Sequence, residues 1–159
     1  MQKALCDNKP ELTLIKILET IPNFHKTFRV TSGVIAVDGQ AYQIDRIISW
    51  TKKTGKHPSQ WYDLELLCEV HADHSAPWFT DGRADKDFEK AETLVEAGNN
   101  LWCIHVKSAE QLSRHAEEIR GDFWKVMLKV TEKEHGVYFG SFFTFDKERH
   151  VVSWTLGKV

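Results

Sequence analysis

Residues 61–71 read WYDLELLCEVH, the sharpest alternation in the chain. Tyr62, Leu64, Leu66, Cys68 and Val70 fall on one face of an extended segment, and Asp63, Glu65, Glu69 and His71 on the other. A period of two over eleven residues fits a strand with one core face and one polar face, and it does not fit a helix. The rest of the chain must supply a sheet for this strand and a layer to cover its apolar side.

The sheet is supplied first by a hairpin. Residues 28–37 and 41–50 are two further extended runs, and Asp38-Gly39 between them is a strong two-residue turn signal. Residues 51–60, TKKTGKHPSQ, read as a polar loop, the most basic stretch of the chain. Gly55-Lys56 lacks the earlier glycine and the following hydroxyl residue of a phosphate loop.

Helices bracket these strands. Residues 9–21 carry Pro10 in a first turn, Leu14, Ile17, Leu18 and Ile21 on one stripe, and Pro22 as a stop. Residues 72–87 read as a long loop with a turn at Asp81-Gly82. A helix is expected over 88–97, with Phe88, Ala91, Leu94 and Val95 inward, Asp85 or Asp87 as cap and Gly98 as stop.

The stretch 101–131 predicts a strand-helix-strand unit. Trp102, Ile104 and Val106 alternate. Ser108 and Gln111 have capping-box spacing, Ala109, Leu112, Ala116 and Ile119 make a helical stripe, and Gly121 sits at a left-handed cap position. Trp124, Val126, Leu128 and Val130 then alternate again. Read this way, the segments 101–107 and 123–131 are parallel strands joined by a right-handed crossover. Residues 137–145 and 150–156 form a last hairpin through the turn at 146–149. The expected fold is α+β, a single globular domain over 1–159, with a mixed, mostly antiparallel sheet of about six strands and three helices.

Composition narrows the function classes. The net charge is −2, which gives no global drive toward nucleic acid or an anionic membrane. No run approaches the ~18 apolar residues of a membrane span. Three cysteines, Cys6, Cys68 and Cys103, form no paired motif, which suits a reducing compartment, and a cytoplasmic location is expected. Six tryptophans and nine phenylalanines are generous for 159 residues.

Two function classes follow. The first is a binding protein of the inhibitor, immunity or accessory type. It would have no cofactor, another protein as partner, and an exposed aromatic and acidic surface at Trp78, Phe79 and Asp81. The second is a metal-dependent hydrolase. Glu69, His71 and Asp73 recur every second residue, and Cys103, His105 and Lys107 do so on another strand. If those strands are neighbours, Glu69, His71 and His105 can converge on one divalent metal ion, with Asp73 and Lys107 in catalytic roles. A Cys103–His105 thiolate–imidazole pair is the weaker nucleophilic option. Composition favours the binding class over an enzyme.

Residues Ile104-His105-Val106-Lys107-Ser108 resemble the third motif of PD-(D/E)xK nucleases, in which a strand ends in acidic-x-Lys before a helix. The resemblance covers about a dozen residues. It implies an acidic ligand for magnesium and a lysine that positions or activates the attacking water. His105 departs from it, standing where the acidic ligand belongs, and Asp81 and Asp85 are the loop candidates for its Pro-Asp partner.

Overall fold

Asp38 and Gly39 both take positive φ, 50° and 80°, the backbone a two-residue type I′ hairpin demands. They join β1 (Arg29–Val37) to β2 (Gln40–Lys53), in antiparallel register from Arg29↔Ser49 to Val37↔Gln40. A computed structural model describes this hairpin and the rest of residues 9–72, 83–106, 109–132, 137–139, 144–145, 151–153 and 157–158. β2 runs three residues past the expected end, and the turn into β3 (Trp61–Ala72) is a short 3-10 segment at Pro58–Gln60. His57 caps that segment by accepting from the Ser59 amide at 3.2 Å.

The four long strands stand in the order β1-β2-β3-β4, with β4 at Leu101–Val106. β1, β2 and β3 are antiparallel neighbours, and β4 lies parallel to β3. Short β5 (Val137–Phe139) continues the sheet parallel to β4, and β8 (Gly157–Lys158) pairs with β5. β6 (Thr144–Phe145) and β7 (Val151–Ser153) form a separate antiparallel pair, so the expected strand over 137–145 is divided: its start joins the main sheet as β5 and only its end pairs back as a hairpin.

Helices cover both faces of the sheet. On one side α1 (Pro10–Leu18), α2 (Phe24–Thr27), α4 (Ala109–Arg114) and α5 (Ala116–Thr131) pack over Ile48, Trp50, Leu66, Cys68, Val70, Trp102 and Ile104. The stripe Leu14, Ile17, Leu18 and Ile21 is buried there as its spacing predicts. On the other side α3 (Arg83–Glu96) places Ala91 and Leu94 against Ile44, Ile47, Leu67, Leu101 and Cys103. The class is α+β, with five α-helices among the described residues where three are expected.

Two expectations are overturned. The segment 123–131 is not a strand but the end of α5. Ile119, Phe123, Val126 and Val130 have helical spacing, and all four are buried. The alternating reading shares Val126 and Val130 with that stripe but would have buried Trp124 and Leu128, which are 41% and 55% exposed. Helix-favouring Ala116, Glu117, Glu118, Met127 and Leu128 carry the backbone through Gly121 at a cost of about 1 kcal/mol relative to alanine. Gly121 is therefore interior to a helix, not a cap. The parallel strand-helix-strand unit is β3–α3–β4, one element earlier than expected.

The second correction concerns the outer face of β3. It is wet only in its first half. Leu67 and Glu69 are buried because α3 packs over them through Lys90, Ala91 and Leu94; the helix itself begins at Arg83, five residues before the expected start. Asp85 and Asp87 lie within that helix and cannot cap it. Gly98, at φ 98°, ends the helix region as expected.

Candidate functional site

The register of the first three strands breaks at one place. Between Thr31↔Ile47 and Gly33↔Ile44 a single β1 residue, Ser32, opposes two β2 residues, Asp45 and Arg46. This is a β-bulge, a device that re-aims side chains. The β2–β3 ladder also stops there, at Arg46↔Cys68. Beyond that pair β2 stays with β1 and β3 stays with β4, so the sheet forks.

Two carboxylates occupy the fork. The Asp45 amide donates to Glu69 Oε2 at 3.2 Å, and the Val70 amide donates to Asp45 Oδ2 at 3.1 Å. Each side chain accepts from the opposite strand where a continuing ladder would supply a carbonyl. The acids thus satisfy the backbone donors that the fork would leave orphaned.

Helix α3 closes the fork from the side. Asp87, Lys90, Ala91 and Leu94 share one helical stripe, and burial of Ala91 and Leu94 fixes its rotation. Lys90 Nζ donates to the Gln43 carbonyl at 2.6 Å and to the Glu69 carboxylate. One turn earlier Asp87 Oδ2 stands 3.5 Å from His71 Nδ1.

The electrostatics follow from that enclosure. Glu69 is only 3% exposed, and its carboxyl is pushed up to about 7. Burial is the main cause, followed by the hydrogen bond and charge of Asp45, with Lys90 opposing. Burial also lowers the His71 pKa, against the opposing pull of Asp87 and Asp45, so the ring is held neutral. Burial drives both thiols, Cys68 and Cys103, well above their ordinary range. A Cys103 thiolate therefore has no support, and this side chain packs in the core under α3.

The strands carrying the expected ligands are neighbours. β3 and β4 pair with Glu69 opposite Cys103 and His71 opposite His105. Asp73, Trp78, Phe79, Asp81 and Lys107 lie outside the described residues. Among the described residues no three His, Cys, Asp or Glu side chains are close enough together to hold a metal without help.

Asp45 and Lys90 escaped the sequence reading, although both left traces. Ile44 and Ile47 face the same core cluster three residues apart, a spacing that a regular strand does not allow and a bulge does. Lys90 sits on the apolar stripe of its helix, where an unburied cation has no reason to be. No protein-family model, curated protein or solved structure matches the chain.

Proposed function

We propose that this protein is a divalent-metal-dependent phosphodiesterase, of nuclease type, working at the β2–β3 fork. The observation that carries the reading is the pair of carboxylates at the fork, buried Glu69 and half-buried Asp45, with Lys90 delivered against one of them by α3. A structural role alone would be served as well by a neutral group, whereas position 69 carries an acid whose ionisation burial opposes.

The donor set fits magnesium or manganese. Such ions prefer hard oxygen ligands, and magnesium is commonly held by one or two carboxylates, with water and substrate phosphate completing the shell. Asp45 and Glu69 would hold the ion. In such a site the ion supplies Lewis-acid polarisation of a phosphoryl oxygen.

The chain's own residues supply the rest. Lys90 is held between the Gln43 carbonyl and Glu69, so it is fixed beside the position where substrate oxygen would lie. There its ammonium can neutralise phosphate charge and orient a water. Neutral His71 can accept a proton, with Asp87 beside its Nδ1 to stabilise the imidazolium.

The arrangement resembles the PD-(D/E)xK nucleases at a different place from residues 104–108. The order is helix, three strands, helix, strand. Asp45 lies on the second strand, and Glu69-Val70-His71 ends the third strand before a helix. His71 replaces the lysine of the pattern, and Lys90 supplies an ammonium from α3 instead. The competing reading, a protein-binding module using Trp78, Phe79 and Asp81, draws on none of this geometry.

Hydrolysis of bis(p-nitrophenyl) phosphate with manganese tests the proposal. Turnover lost in Asp45→Asn and in Lys90→Met supports it. Turnover unchanged in both variants removes it.

A further inference from the structure

The sheet ends on a strand with unusual freedom to pair. Among the described residues nothing hydrogen-bonds to the outer edge of β1. None of its nine residues is buried, and Val34 is 57% exposed. From Val30 to Val37 the sequence VTSGVIAV holds no charge and no proline. Edge strands that must stay single are ordinarily guarded by lysine, proline or an irregularity of their own. Here the extra residue of the bulge belongs to β2, so the outer edge of β1 runs unbroken.

We propose that this edge pairs with β1 of a second copy of the chain, antiparallel, about a two-fold axis at Gly33. Charge selects that arrangement. Arg29 is the one charged residue of the strand, and exposed Asp38 follows its far end in the hairpin turn. With Gly33 opposite the partner's Gly33, Arg29 falls opposite the partner's Val37 and next to the partner's Asp38. Opposite charges then meet at both ends of the pairing. Parallel pairing in register would instead set arginine against arginine, which is unfavourable. The antiparallel pairing is also closed: each copy uses the same patch once, so association stops at two. Glycine at the axis allows close backbone approach, and a Cβ there would meet Ile47 Cδ1 at 3.6 Å, ordinary contact.

The full-length chain tests this by mass and by cross-linking. Light scattering should give twice 18.4 kDa at high concentration, falling to 18.4 kDa on dilution. Val34→Lys, on an exposed side chain, should give monomer with an unchanged circular dichroism spectrum. In a Cys6→Ser background, Gly33→Cys should form a disulfide-linked dimer on oxidation, because self-opposed residues in an antiparallel pair have Cα atoms about 4.5–5.5 Å apart, within disulfide reach. Ala36→Cys, six residues out of register with itself, should not. Four results overturn the proposal: a monomer at every concentration, a Val34→Lys dimer, open-ended assembly, or equal cross-linking by Ala36→Cys and Gly33→Cys.

Discussion

Replacing Glu69 with glutamine should stabilise the fold at alkaline pH and do so several-fold less at pH 5. Glutamine keeps the size of the side chain and one carbonyl oxygen, which can accept from Lys90 or from the Asp45 amide but cannot replace both carboxylate oxygens. It removes the buried charge. The Glu69 carboxyl rises from 4.5 to about 7 on folding, and each pKa unit corresponds to about 1.4 kcal/mol. An acid with a raised folded pKa binds more protons when folded. Stability therefore falls as pH climbs from about 4.5 to about 7 and stays reduced above that. The full penalty at pH 8 is about 3 kcal/mol, and the variant should recover much of it. For a chain of this length that is a gain of roughly 6–12 °C in Tm. Lys90 keeps its bond to the Gln43 carbonyl and is 26% exposed on its side chain, so it is not left stranded. Urea denaturation at pH 5 and pH 8 reads the difference directly. A variant that is less stable than wild type at pH 8 would show that attraction to Lys90 outweighs desolvation, and the reasoning would fail.

Other outcomes follow from the same structure. Gly121→Ala should stabilise α5 by roughly 0.5–1 kcal/mol, since the added methyl meets nothing within 4 Å; a left-handed cap at that position would make the same change destabilising. Phe123→Ala should cost about 3–5 kcal/mol and Trp124→Ser far less, the reverse of what a buried strand carrying Trp124 would give. Asp122 is buried with Oδ2 unpartnered among the described residues, and burial pushes its carboxyl up to about 7. Asp122→Asn should accordingly raise Tm most at pH 8, less at pH 5, and hardly at all below the ordinary carboxylate range, as a pH series of melting curves would show.

Local rules that concern neighbouring residues read cleanly in this chain. The Asp38-Gly39 turn, the apolar face of β3, the α1 stripe and the Gly98 stop each depend on a few adjacent side chains. The stretch 123–131 fits two periods at once. Only the tertiary fact that Phe123 stacks among Phe24, Phe28 and Trp102 decides between them. The site was legible by half. Glu69 and His71 stand out because alternation puts them together on one strand. Asp45 joins them through a bulge set by the pairing of β1 with β2, and Lys90 through the rotation of a helix docked on the sheet. Neither is a property of a short window of sequence. The burial of Glu69 was likewise hidden, because it depends on which face of the sheet α3 docks against.

On the proposed function, the fork between β2 and β3 cleaves phosphodiesters with a divalent ion. Incubating the purified chain with single- and double-stranded DNA and RNA, in magnesium or manganese and then in chelator, tests it most directly. Cleavage of at least one substrate is expected from wild type with metal, none in chelator, and none from Asp45→Asn or from a Glu69→Gln variant that is folded and more stable. Intact substrates in every metal condition, or cleavage by Glu69→Gln at the wild-type rate, would contradict it.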